Sequence, residues 1–269
     1  MTMNNIIQTT LLSFLLGGVA NATETPANWW QSGSYAYPET DELLTHFSGT
    51  VGYRYSDGNE ENSNLRISTL AVLRKGHFSF VNMYRKSKWS KKVYANKNLP
   101  PKKLSNDYHS IESNIFYDIN SYFFGAVGYE NGRNLEMAIY NKNVRYGGIG
   151  VRALQSKKHK LNLFVGYGDE DISYEIYRIL PAGKTNLIYY QFNYLWTVND
   201  NLSLSSNYTL LDADMEYRNT SKLIIKANTK ISKYLSLDVS YQDLSIEALD
   251  TVSLFTHDKS ISTSLKISF

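Results

Sequence analysis

The chain has 269 residues, 28 Lys plus Arg against 25 Asp plus Glu, a net charge of +3, and 14% aromatic residues, 22 of them Tyr. So small a charge gives no electrostatic footprint for nucleic acid. The absence of cysteine excludes disulfides, thiolate metal sites, a catalytic thiol and a lipoprotein anchor.

The first 22 residues read as a signal peptide. Ile6–Ala20 is largely apolar and Ala20-Asn21-Ala22 is a small-x-small cleavage site, although Met1–Asn5 carries no basic residue. Residues 23–45, with Pro26, Trp29, Trp30 and Pro38, show no period and are expected to form a periplasmic lead-in. No later run approaches the ~18 to 20 apolar residues of a membrane helix. A membrane crossing by this chain therefore has to be a closed sheet, because an open sheet edge in lipid leaves backbone groups unpaired.

From His46 onward the sequence alternates with a period of two, the mark of a strand with one apolar and one polar face. The first predicted strand, His46–Tyr55, sets Phe47, Val51, Tyr53 and Tyr55 against Ser48, Thr50, Gly52 and Arg54. After the polar stretch Ser56–Asn64, Leu65–Arg74 turns at Lys75-Gly76 into His77–Arg85. Further pairs follow: Tyr108–Ile119 with Tyr122–Glu130, Arg145–Leu154 with Lys160–Gly168, Lys184–Thr197 with Leu202–Leu211, and Ser221–Ile231 with Leu235–Leu244. A last strand ends the chain, alternating Ile261, Thr263, Leu265, Ile267 and Phe269 with Ser262, Ser264, Lys266 and Ser268.

Tight turns thus alternate with longer polar loops, and an even number of strands puts both termini on the tight-turn side. That arrangement predicts an all-β, antiparallel, up-and-down transmembrane barrel of about 12 strands of the outer-membrane type over residues 46–269. Lys184–Thr197 carries the clearest pattern: Ile188, Tyr190, Phe192, Tyr194 and Trp196 toward lipid, Tyr189, Gln191, Asn193 and Thr197 toward the lumen. The strands His77–Arg85 and Tyr122–Glu130 alternate poorly.

Several stretches carry a resemblance to a known family. Gly58-Asn59-Glu60-Glu61-Asn62-Ser63-Asn64-Leu65 leads into a strand ending Arg74-Lys75-Gly76; Phe123-Phe124-Gly125-Ala126-Val127-Gly128-Tyr129-Glu130 forms a second element. Gly147-Gly148-Ile149-Gly150 precedes Leu161–Tyr167, Trp196 precedes Asp200-Asn201, and Ser262–Phe269 ends the chain. In order and spacing these resemble the salt-induced outer-membrane proteins gathered as domain of unknown function 481. The basic stretch Lys86–Asp107 departs from that pattern. The resemblance implies an outer-membrane location, a barrel and an association with salt stress, but no activity.

The inward faces supply the candidate lumen lining: Arg54, Arg66, Arg74, Arg152, Lys222, Lys226, Lys230 and Lys266 against Glu112, Asp118 and Asp238. These charges either pair across a filled lumen or line a passage favouring anionic solutes. The basic stretch offers Lys86, Lys88, Lys91, Lys92, Lys97, Lys102 and Lys103 to lipopolysaccharide phosphates as an extracellular loop, or is simply a solvated loop. Leu265, Ile267 and Phe269 are the expected terminal signal for the barrel-assembly machinery.

Chemistry is sparse. His46, His77, His109, His159 and His257 lack metal-ligand spacing, so neither a metal nor a cofactor is expected. Asp107-Tyr108-His109-Ser110-Ile111-Glu112 holds hydrolase residue types, but neighbouring strand residues point to opposite faces and no enzymatic role is expected. A passive channel or envelope-stress component is the favoured reading. An enzyme acting on lipid or lipopolysaccharide and a structural or adhesive barrel stay open as alternatives.

Overall fold

The computed structural model describes residues 41–56, 60–93, 102–134, 139–174, 183–213, 218–247 and 255–268. The expected signal peptide, most of the lead-in, Lys97 and Phe269 lie outside the described residues. The described chain forms twelve strands: β1 (Leu44–Ser56), β2 (Glu60–Lys75), β3 (Phe78–Val93), β4 (Lys102–Asp118), β5 (Phe123–Asn134), β6 (Ile139–Gln155), β7 (His159–Tyr174), β8 (Gly183–Thr197), β9 (Leu202–Ala213), β10 (Arg218–Lys230), β11 (Leu235–Glu247) and β12 (Phe255–Ser268). Each pairs antiparallel with its sequence neighbours, and β1 meets β12 to close the barrel.

Alternation decides the two faces. On β8, Tyr190 is 39% exposed and Tyr189 only 6%; on β12, Leu265 is 50% exposed and Lys266 only 9%. Val51, Tyr53, Ile67, Phe78, Ile115, Ile149, Val165, Ile188 and Ile261 continue the outward apolar surface round the cylinder. A closed sheet with an apolar exterior and every strand edge paired is what a membrane accepts. The fold is a transmembrane up-and-down barrel of the outer-membrane type.

The five tight turns fall where the sequence puts them. Gly76, at a φ of 54°, occupies the left-handed conformation that the β2–β3 turn requires. Asn120 Oδ1 accepts from the backbone amides of Tyr122 and Phe123 at 2.8 Å each, and Asn199 Oδ1 accepts from those of Asn201 and Leu202 at 2.9 Å. These are Asx-type turns, in which a short side chain substitutes for the missing ladder partner.

The opposite ends depart from expectation. Nearly all strands run further than apolar alternation reaches, by most at the long-loop side: β2 starts at Glu60, β7 ends at Tyr174, and β3 and β4 extend to Val93 and back from Lys102. The basic stretch Lys86–Asp107 is therefore largely a hairpin of two long strands rather than a loop. Above the lipid both faces meet water, so the backbone ladder continues while the apolar signal stops. Among the described residues the seam between β1 and β12 is much shorter: four residue pairs, Ser48↔Ser268 to Val51↔Leu265, compared with the run from Leu44↔Arg74 to Ser56↔Asn62 between β1 and β2.

Candidate functional site: the two walls of the lumen

The inward residues divide into two unlike walls. Leu44 at the tight-turn end of β1 and, from β2 to β9, Val72, Val81, Phe116, Phe124, Ala126, Val144, Phe164, Leu187, Tyr189, Leu211 and Ala213 are buried and form one hydrophobic cluster, with Leu70 and Tyr146 against it. Tyr146 and Tyr189 stack with centroids 4.1 Å apart and planes 13° apart. Phe164 lies 6.2 Å from Phe124 and meets Tyr146 edge-on at 6.0 Å. Ring pairs in these geometries add about 0.5–1.5 kcal/mol each to the effect of burial.

Glycines make room for the rings. A Cβ at Gly150 would run into the Phe124 ring, and one at Gly128 into the Tyr146 ring. At Gly148 and Gly168 the obstacle is backbone, the carbonyls of Val165 and Arg145 on the adjacent strand. Gly148 and Gly150 thus permit close packing of rings and strands, as expected of strand glycines beside bulky neighbours.

The tight-turn end of this wall is held by a buried ion cluster. Arg74 Nη2 lies 2.6 Å from Asp118 Oδ2, and Arg152 Nη2 binds the other carboxylate oxygen. Arg74 also donates to Ser79 Oγ at 2.9 Å, Arg152 donates to the Asn120 carbonyl at 2.9 Å, and the Arg152 guanidinium sits 5.1 Å from the Phe124 ring centre. These three charges face inward as the sequence indicates. They do not line open space, however: all are buried, and each arginine satisfies the shared carboxylate. A carboxylate taken out of water demands such compensation.

Toward the long loops the ring cluster hands over to charges. Tyr146 Oη donates to Asn114 Oδ1 at 2.6 Å, Asn114 Nδ2 donates to Glu112 Oε1 at 3.0 Å, and Arg85 lies 3.5 Å from Glu112. Lys142 pairs with Glu170 at 3.5 Å. Glu130 on β5 feels the charges of Lys142, Lys222 and Arg85, so Lys222 on β10 acts across the barrel. Arg85, Glu130, Lys142 and Glu170 escape a reading of the sequence because they lie at or beyond the ends of apolar alternation.

The other wall, from β9 through β12 to β1, is built differently. Its inward positions include Ser205, Asn207, Thr209, Ile224, Ser240, Gln242, Ser262, Ser264 and Thr50, all half-buried. Lys226 pairs with Asp238 at 3.6 Å, Asn228 hydrogen-bonds Ser236 at 3.0 Å and Asp238, and Ser240 and Ser262 share a hydrogen bond at 2.8 Å. Lys222 and Lys230 share the Lys226 face, as the four-residue spacing requires, and Lys266 is buried at the tight-turn end. Arg66 points inward on β2. Arg54 stands opposite Asn64 on β1, with its side chain outside what is described.

Among the remaining candidates, Lys86 and Lys88 are exposed on the outward face of β3. Lys91 and Lys92 on β3 and Lys102 and Lys103 on β4 lie in strands, their side chains outside what is described. Leu265 and Ile267 face lipid at the terminal strand. Ser110 is buried inward and accepts a hydrogen bond from Tyr108 Oη at 3.0 Å, while His109 is on the opposite face. No group of three or more His, Cys, Asp or Glu able to hold a metal occurs among the described residues.

The sequence pattern described as protein of unknown function, DUF481, matches residues 49–269, which is β1 through β12. The chain belongs to the DUF481 family. No curated protein matches this DUF481 chain. Among solved structures it is similar to an outer-membrane channel from Pseudomonas putida F1, at 11% identity and a TM-score of 0.49, covering 88% of this chain and 98% of that one. It is also similar to the KdgM porin (12% identity, TM-score 0.42, 84% and 99% covered) and to the translocator domain of the autotransporter NalP from Neisseria meningitidis (8%, 0.43, 99% and 95%). Their descriptions cover channels and a translocator alike, and likeness this distant leaves the function of the DUF481 barrel to its own lumen.

Proposed function

We propose that this DUF481 chain is a bacterial outer-membrane barrel that provides a narrow, off-centre passive passage for small anionic solutes. The observation that carries the reading is the contrast between the walls. Rings fill the β4–β8 side, whereas the β9–β12 and β1 side presents hydroxyls, amides and the Lys222, Lys226 and Lys230 ladder. Small polar side chains leave space and hydrogen-bond a hydrated solute without holding it, which is what conduction needs. The sign of selectivity follows from the inward charges: Arg66, Arg85, Lys142, Lys222, Lys226, Lys230 and Lys266 outnumber Glu112, Glu130, Glu170 and Asp238. Outer-membrane location is supported by the lipid-facing exterior, and a role under salt stress by the family resemblance.

Planar-bilayer recording in a KCl gradient tests this. The expected result is stepwise conductance with a reversal potential favouring chloride, reduced in a K222Q/K226Q/K230Q variant. Electrical silence of the folded barrel at high loading, or cation selectivity in the wild type, overturns it.

A further inference from the structure

The outer surface has its own charge pattern, separate from the lumen. At the long-loop border of the apolar band three described rim cations have carboxylate partners: Arg145 and Lys184 share Asp169 at 3.9 and 3.7 Å, and Lys259 lies 3.9 Å from Asp243. On β3, β4 and β5 the pattern changes. Lys86 stands directly opposite His109, and His109 directly opposite Arg133, all three outward. None of the three forms an ion pair among the described residues, and Arg133 Nε has no hydrogen-bond partner there. The Arg133 guanidinium is instead held 4.8 Å from the Tyr140 ring centre, beside the register shift of the β5–β6 pairing.

Lys86 and Arg133 flank His109 on one sheet face, and like charges gathered this way disfavour the fold unless an anion lies among them. The carboxylate on the same face of β4, Asp107, stands opposite Lys88, one step farther from the bilayer centre. The row is about 10 Å across, two strand spacings, a span that the phosphates of one headgroup can bridge. What lies beside it sets the chemistry of the ligand. Ile67 pairs directly with Lys86, and one step nearer the bilayer centre lie Tyr84 and Ile111, with Ile115 and Val127 beyond; the isoleucines and the valine are exposed. A free anion would gain nothing from that surface, but an amphiphile would lay acyl chains on it.

We propose that Lys86, His109 and Arg133 form a binding site for a phosphorylated glycolipid of the outer leaflet, with the phosphate on the cation row and the acyl chains along Ile67, Ile111 and Ile115. The site rests on the transmembrane fold and on the long loops facing outward, and it does not depend on conduction through the lumen. It differs from a general loop contact because it is a surface of three rigid strands, its geometry set by cross-strand register.

Native mass spectrometry of the purified full-length barrel in detergent, titrated with bisphosphorylated lipid A, dephosphorylated lipid A and inorganic phosphate, tests the assignment. Charge-assisted hydrogen bonds of this kind should make the bisphosphorylated lipid bind about tenfold or more tightly than its dephosphorylated form. K86Q/R133Q should lose that margin, while K184Q, which removes a paired rim cation, should keep it. Heat-modifiable mobility on gels checks that each variant is folded, and the two lipid titrations on the wild type stand even if one variant is not. Equal binding of both lipids, an unchanged K86Q/R133Q, or displacement of the lipid by millimolar inorganic phosphate overturns the proposal. Bilayer conductance should be the same in K86Q/R133Q as in the wild type, so failure here and failure of the passage reading are separately visible.

Discussion

The two walls of this lumen solve one problem in opposite ways. Both belong to one sheet, both alternate, and both must keep charge out of lipid. Between β2 and β9 the interior is dry: rings stack, glycines let strands approach, and two arginines share one carboxylate beneath them. Between β9 and β1 it is lined with short hydroxyl and amide side chains and with the half-buried Lys222, Lys226 and Lys230. A barrel of this size can nearly fill itself with side chains, so the choice of residue at each inward position decides how much space is left. On the proposed function the dry wall supplies stiffness and the polar wall the space, and substitutions should separate the two.

The largest expected effect is on the dry wall. Asp118→Ala leaves two buried guanidiniums facing each other and should cost about 3–5 kcal/mol, read as a lower urea midpoint in lipid vesicles. Phe124→Ala should cost about 3 kcal/mol by the cavity it opens against Phe116 and Phe164. If the proposed passage runs along the polar wall, it should also raise single-channel conductance. The exterior offers a control. Tyr190→Lys places a cation against lipid and should cost about 2–4 kcal/mol near mid-bilayer, whereas Gln191→Lys, one residue on and inward, should fold normally. On the polar wall Ser240→Leu should change stability by less than about 1 kcal/mol while narrowing conductance. A large stability loss there, with no change in current, would mean that both walls are packed alike.

The contrast also explains what could be read from the sequence. The membrane-facing pattern was legible because lipid tolerates only apolar groups, so β8 and β12 announce themselves through Tyr190, Phe192, Leu265 and Ile267. β3 and β5 alternate poorly because Val81, Met83, Phe124 and Ala126 face inward onto a dry interior, giving both faces apolar residues. Gly148 and Gly150 read as strand glycines beside bulky neighbours, but the wider signal lay in Gly128, Gly166 and Gly168, which sit opposite or beside inward rings. Strand ends were lost for a different reason: Lys142 and Glu170 continue ladders above the lipid edge, where nothing forces a polarity pattern. Where their side chains are described, the charges lie on the face the alternation indicates, but their pairing depends on cross-strand register. That is why Arg74 and Arg152 read as pore lining although both are committed to Asp118.

The seam between β1 and β12 has a consequence for how the molecule comes to exist. These two strands are the most distant neighbours along the polypeptide, so bringing them together has the largest loop-closure entropy of any pairing in the sheet. Yet four residue pairs hold them among the described residues, where β1 pairs with β2 from Leu44 to Ser56. Hairpins added one after another would leave this join until last, with Ser48–Val51 and Leu265–Ser268 as the latch. Assembly therefore ends at the weakest line of the cylinder, and a machine that guides insertion has most to gain by gripping the molecule there.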